Sequence, residues 1–135
     1  MRVRDVSQPS VLAVGPDDCL ADAAMLLTTR GVGSLAVLDG DSLLGIITER
    51  DLVRAMAEGH PPRVATVAQL MTPDPIVAGA DMTVDAALRL MVEADVRHLP
   101  VMDEDVLIGM VSMRRLLQQE VWRRDGQPGD SPDPG

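Results

Sequence analysis

Apolar positions along this chain fall into short runs, and the runs come in the same order twice. Val11–Val14, Ser34–Leu38 and Leu43–Thr48 are strand-length apolar stretches bounded by Pro, Gly or Asp. Between the first two, Asp17 or Asp18 is placed to cap a helix running to about Arg30, which Gly31 and Gly33 end. Asp39-Gly40-Asp41 turns the chain between the later two strands, and a helix follows from Glu49 to about Glu58. The second half repeats the order. A short strand is predicted at Ile76–Val77, a helix from Asp81 or Thr83 to Ala94, strands at His98–Met102 and Val106–Ser112, and a last helix over Met113–Arg124. Gly59–Arg63 links the halves, with a short helical turn at Thr66–Met71. The expected class is α/β, built from two tandem β-α-β-β-α motifs.

Residue identity supports the duplication. Residues 32–52 laid on 96–116 give nine identical pairs in 21, among them Val37/Val101, Gly45/Gly109 and Leu52/Leu116. Shortening the shift by one residue extends the match backwards through Val14/Val77, Asp22/Asp85, Ala23/Ala86 and Leu27/Leu90. That alignment needs a one-residue gap near Gly31/Asp95, where a helix ends. Two copies of about 60 residues are too few and too long for a solenoid. They suggest a pseudo-twofold pair in which each unit completes its neighbour's core.

One helix carries more apolar surface than one sheet needs. Over residues 83–94, Val84, Ala87, Leu88, Met91 and Val92 form one stripe, and Ala86, Leu90 and Ala94 form a second. The segment Ala23–Thr29 is uncharged throughout. A helix apolar nearly all round is expected to be buried. A homodimer is therefore expected, with Met25, Leu26, Leu90 and Ala94 as contacts.

Composition narrows the function classes. At 135 residues and 46% hydrophobic, the chain is the length of one domain and is not of disordered type. It holds no apolar run long enough for a transmembrane helix and no signal-peptide stretch, so no membrane is expected and the cytoplasm is the default. Cys19 is alone, which rules out an internal disulfide. Trp122 is the sole aromatic, so no stacking platform is available, and the net charge is −9. Both facts argue against nucleic acid. There is no Walker-type loop, no GxSxG and no close His/Cys grouping, so neither catalysis nor a metal site is expected.

Two polar clusters stand out. Thr48 follows a strand and precedes a helix, and Asp51 lies three residues on, which is capping-box spacing with Asp in place of Glu. The second copy reads Ser112-Met113-Arg114-Arg115, with a donor-only guanidinium where the carboxylate stood. Arg97 and His98 open a strand where the first copy has Gly33 and Ser34. A guanidinium beside an imidazole suits a phosphate. The alternative for Arg97 is an ion pair with a surface Asp, Asp95 or Asp103.

The segment MTPDPIVAGADMTVDAALRLMVEADVRHLPVMDEDVLIGMVSMRRL (71–116) resembles a cystathionine β-synthase (CBS) motif, and residues 6–52, ending in LLGIITERDL, resemble a second. The pair resembles a Bateman module, with motifs over 1–60 and 71–124, a linker over 61–70 and a disordered tail over 125–135. The resemblance implies a regulatory sensor, not an enzyme, that binds AMP, ADP, ATP or another adenosyl compound and signals to an effector protein. It implies that Asp51 and Thr48 hold ribose while Arg97 and His98 meet the phosphate in one cleft between the motifs. Val14 and Ile46 are then candidate walls for the purine, beside their ordinary reading as core. The opposite cleft, with Arg115, Gly33 and Ser34, is expected to be weak or empty. The other function class is a ligand-independent oligomerisation module.

Overall fold

The computed structural model describes residues 1–7 and 11–125. The elements are α1 (Val3–Val6), β1 (Ala13–Val14), α2 (Leu20–Arg30), β2 (Ser34–Asp39), β3 (Ser42–Thr48), α3 (Glu49–Ala57), α4 (Val67–Leu70), β4 (Thr72–Pro73), β5 (Ala78–Gly79), α5 (Val84–Ala94), β6 (His98–Asp103), β7 (Val106–Ser112) and α6 (Met113–Asp125). They form two compact units. One is Val11–Ile76, and the other joins Met1–Ser10 to the chain from Val77 onward.

In the first unit the sheet order is β1-β2-β3-β4, with β1 parallel to β2 and the other pairs antiparallel. The parallel pair needs a crossover, and α2 supplies it. The second unit repeats the plan as β5-β6-β7 with α5 as crossover. Each hairpin has a register shift at the same place, Val37/Leu38 in one and Val101/Met102 in the other. Leu35, Val37 and Ile47 put one face of the first sheet into a core with Leu20, Ala23 and Leu27 of α2. Leu99, Val101 and Val111 do the same with Val84, Ala87 and Met91 of α5.

Packing corrects the alignment of the copies. Leu20, Ala23 and Leu27 are buried, and so are Val84, Ala87 and Met91, sixty-four residues later. The shorter shift would pair buried Ala23 with exposed Ala86. Val14 opposite Val37 likewise corresponds to Ala78 opposite Val101. One constant shift thus runs from strand to helix cap, and there is no gap. Gly31 and Asp95 are both left-handed, at φ 64° and 55°, and stop equivalent helices. The Ala and Asp identities of the shorter shift were coincidences of composition.

Three further expectations shift. The short strand of the second half is Ala78–Gly79, while Ile76 and Val77 before it are exposed. Neither Asp17 nor Asp18 caps α2. Cys19 holds the N-cap position without a side-chain bond, and the Asp18 carboxylate accepts from the Gly15 N–H at 2.8 Å. Thr83 does cap α5, accepting from the Ala86 N–H at 3.1 Å. Asp125, expected to open the tail, belongs to α6; the rest of the expected tail, Gly126–Gly135, lies outside the described residues.

The short helices reveal an exchange. α1 and α4 are also sixty-four residues apart and bury equivalent side chains, Val3 and Val6 in one, Val67 and Leu70 in the other. Yet α1 joins the core of the unit containing β5–β7, and α4 joins that of β1–β3. Arg2 bridges Thr83, and Thr66 bridges Cys19, so each short helix docks at the N-cap of the other repeat's long helix. Arg4 fastens α1 further, 3.0 Å from Asp81 and 3.6 Å from Asp103. The hydrogen bond that Arg4 donates to Asp81, then the Asp81 charge, holds the Arg4 pKa above the ordinary guanidinium value. Met1–Ser7, expected in a first motif over 1–60, therefore pack with the second repeat.

Candidate functional site

β3 ends at Thr48, whose extended backbone turns the chain into α3. Its Oγ1 accepts from the Asp51 N–H at 3.2 Å, and the Asp51 Oδ2 accepts from the Thr48 N–H at 2.9 Å. The capping box is thus fully formed, with Asp in the role usually taken by Glu. Asp51 is only 4% exposed. Its other oxygen, Oδ1, accepts from Arg54 Nη2 at 3.0 Å. A carboxylate at this depth needs such partners, and the amide dipoles of the first helical turn favour it as well.

The equivalent turn of the second unit is half built. Ser112 Oγ accepts from the Arg115 N–H at 3.1 Å. Among the described residues no carboxylate reaches back: position 115 holds an exposed Arg, whose guanidinium carries only donors. Each turn is tied to the opening of the preceding strand by one backbone bond: Glu49 N–H to Gly33 O at 3.1 Å, Met113 N–H to Arg97 O at 2.7 Å. Ladder pairing sets Ser34 opposite Thr48 and His98 opposite Ser112.

The six expected site residues therefore fall into groups. Thr48 and Asp51 meet directly in the Val11–Ile76 unit. Arg97 and His98 belong to the other unit, where they line a groove of about 610 Å³ with Ser112, Arg114, Leu117 and Trp122. That volume is of small-ligand size. Among the described residues Arg97 has no ion pair, and Asp103, one of its expected partners, is taken by Arg4. Val14 lies in the α2 core cluster, as an ordinary core residue does. Ile46 pairs with Ala36 on the opposite sheet face and is also buried.

Three participants escaped the reading of the sequence. Arg54 stands three residues after Asp51, a spacing that brings side chains together on a helix and was there to be read. Trp122 and Leu117 joining Arg97 in one groove had no local signal, because strand and helix are brought together only by the fold.

The model of the CBS domain matches residues 3–58 and 67–120. The chain belongs to the CBS-domain family. The matched segments start sixty-four residues apart, the shift that packing demands. Hypoxic response protein 1 of Mycobacterium tuberculosis is 32% identical over 111 residues, covering 81% of this chain and 78% of that protein. The crystal structure of CBS domain NE2398 superposes with a TM-score of 0.85 at 31% identity, covering 90% of this chain and 98% of the other. The CBS domain pair of protein MJ0100, in complex with 5′-methylthioadenosine and S-adenosyl-L-methionine, gives 0.85 at 23% identity, over 91% and 98%. Some relatives are longer: the chain spans 63% of an uncharacterised protein of Methanopyrus kandleri and 22% of the inosine-5′-monophosphate dehydrogenase of Methanocaldococcus jannaschii. Among the described residues no helix is long and apolar enough to cross a membrane.

Proposed function

We propose that this CBS pair is a regulatory module taking one adenosyl ligand per chain, with Asp51 accepting from the ribose hydroxyls and Arg97 meeting a phosphate. The observation that carries this is the Asp51 carboxylate, buried and fixed in orientation at the start of α3, set against the cation at the same position of the second repeat. Of the two Asp51 oxygens, Oδ2 accepts from the Thr48 N–H and Oδ1 from Arg54, so Oδ1 is the one a ribose hydroxyl would take. The vicinal diol of a ribose offers two donors, and AMP, ADP, ATP and other adenosyl compounds all carry it. Phosphate-bearing members are favoured by Arg97, which has no ion pair among the described residues. The adenosyl complex of MJ0100 belongs to that protein, and at its level of identity the likeness concerns the fold.

CBS-domain proteins of this kind are generally regulatory rather than catalytic. The mechanism is a population shift: a ligand touching residues of both motifs favours one arrangement of the chain, and an effector protein reads it. Calorimetry with AMP tests the reading. One site per chain is expected, weakened about ten- to a hundredfold by Asp51→Ala, the loss of hydrogen bonds to a charged group. Two equal sites, or an unchanged affinity in the variant, overturn it.

A second reading, assembly without ligand, draws on the helices. α2 and α5 are not buried all round: Met25 and Val92 are exposed, while Leu90 packs on its own core and Leu26 and Ala94 are half covered. α3 also exposes Val53 and Met56. We infer a homodimer in either reading. Light scattering should give two chains per particle, and Met25→Glu should yield monomers if α2 is the contact. Monomers under Val53→Glu alone would move the contact to α3.

A further inference from the structure

We propose that Arg54 is a latch on the ligand site: it occupies the Asp51 oxygen that a ribose hydroxyl needs, and so sets the threshold for binding. This rests on the ribose reading of Asp51 given above. Oδ2 of Asp51 is turned back to the Thr48 N–H and is spent on the cap. Oδ1 is the oxygen left to a ligand, and Arg54 Nη2 lies 3.0 Å from it. The Asp51 side chain is 5% exposed and that of Arg54 is 50% exposed. The buried carboxylate is thus covered by a guanidinium whose own side chain is half in solvent.

The second repeat supports a role tied to the carboxylate. Sixty-four residues on, Asp51 becomes Arg115 and Arg54 becomes Gln118. The carboxylate and the guanidinium three residues after it are both replaced at these positions. An ion pair with one exposed partner holds only about two- to fivefold in an equilibrium. That is strong enough to raise a threshold and weak enough for a ligand to open. A neutral nucleoside must break the contact unaided.

Ionic strength separates the latch from a helix staple. Adenosine is uncharged, so salt acts on its binding only through charges of the protein. The Debye length falls from about 30 Å at 0.01 M to about 8 Å at 0.15 M. Adenosine is titrated into the full chain at both salt levels, using the unaltered protein, Arg54→Gln and Asp51→Asn. The unaltered protein should bind about twofold tighter at the higher salt. Arg54→Gln should bind about two- to fivefold tighter than the unaltered protein at low salt, with no salt response. Affinity of Arg54→Gln equal to or below that of the unaltered protein, or an unaltered protein indifferent to salt, overturns the latch. Asp51→Asn decides which idea has failed. If it binds adenosine as the unaltered protein does, the ribose reading falls too. If it loses binding while Arg54→Gln changes nothing, only the latch falls. A staple alone would lower the melting temperature of Arg54→Gln and leave adenosine affinity the same in both proteins at both salt levels.

Discussion

The turn Thr48–Arg54 and the turn Ser112–Gln118 have the same backbone and opposite electrostatics. Both leave a strand, cap a helix with a hydroxyl and tie back to the preceding strand through one amide. In the first, a buried carboxylate closes the capping box and meets a guanidinium. In the second, a guanidinium takes the carboxylate's place and the box stays open. The fold thus tolerates either residue, because one hydroxyl suffices to start the helix. What the carboxylate adds is chemistry: a fixed acceptor at the end of a sheet. Duplication has kept the scaffold twice and the acceptor once.

The comparison breaks most sharply at Asp51. Asp51→Ala in the ligand-free protein removes half of a capping box and leaves the Thr48 N–H without its partner. Urea unfolding should show a loss of about 1–2 kcal/mol, against under about 0.5 kcal/mol for Arg115→Ala. Equal losses would mean that the two turns are structurally alike and the carboxylate idle. Next comes Arg97. Under the phosphate reading, Arg97→Ala weakens AMP about tenfold and adenosine hardly at all, since a charge-assisted bond is lost only where there is a phosphate. Parallel losses for both ligands would remove Arg97 from the phosphate. The smallest effect sharpens the contrast from the other side. Arg115→Asp completes the second capping box and removes a cation from a helix start, so stability should rise by about 0.5–1 kcal/mol. A fall would show that Arg115 has a partner in its own right.

Much of this was legible in the sequence. Thr48 and Asp51 were readable because a capping box is local, three residues wide, and the structure forms it as spaced. The hairpins were readable from Asp39-Gly40-Asp41 and its counterpart. Alignment by identity failed at α2 and α5, where Ala and Asp are too common to mark a register; burial of Leu27 and Met91 marks it instead. Val14 and Ile46 look alike as apolar strand residues, yet they lie on opposite faces of one sheet. The pleat distinguishes them, and only once the partner strands are known. α1 was missed because four residues carry no periodicity. What makes it a helix is a core that lies about eighty positions further along the chain.

That last fact bears on synthesis. A ribosome makes Met1–Ser7 before the residues they pack on: the Val3 N–H bonds the Met82 carbonyl and the Arg2 side chain reaches Asp81, 79 residues away. The first unit, Val11–Ile76, holds all its own strands and α4, so it has everything it needs while the rest is still being made. The opening segment does not. It must wait, with Val3 and Val6 uncovered, until β5–β7 and α5 emerge. Contacts of such separation form late and slowly. Residues made before the first unit are thus folded after it, and the exchange of one four-residue helix sets that order.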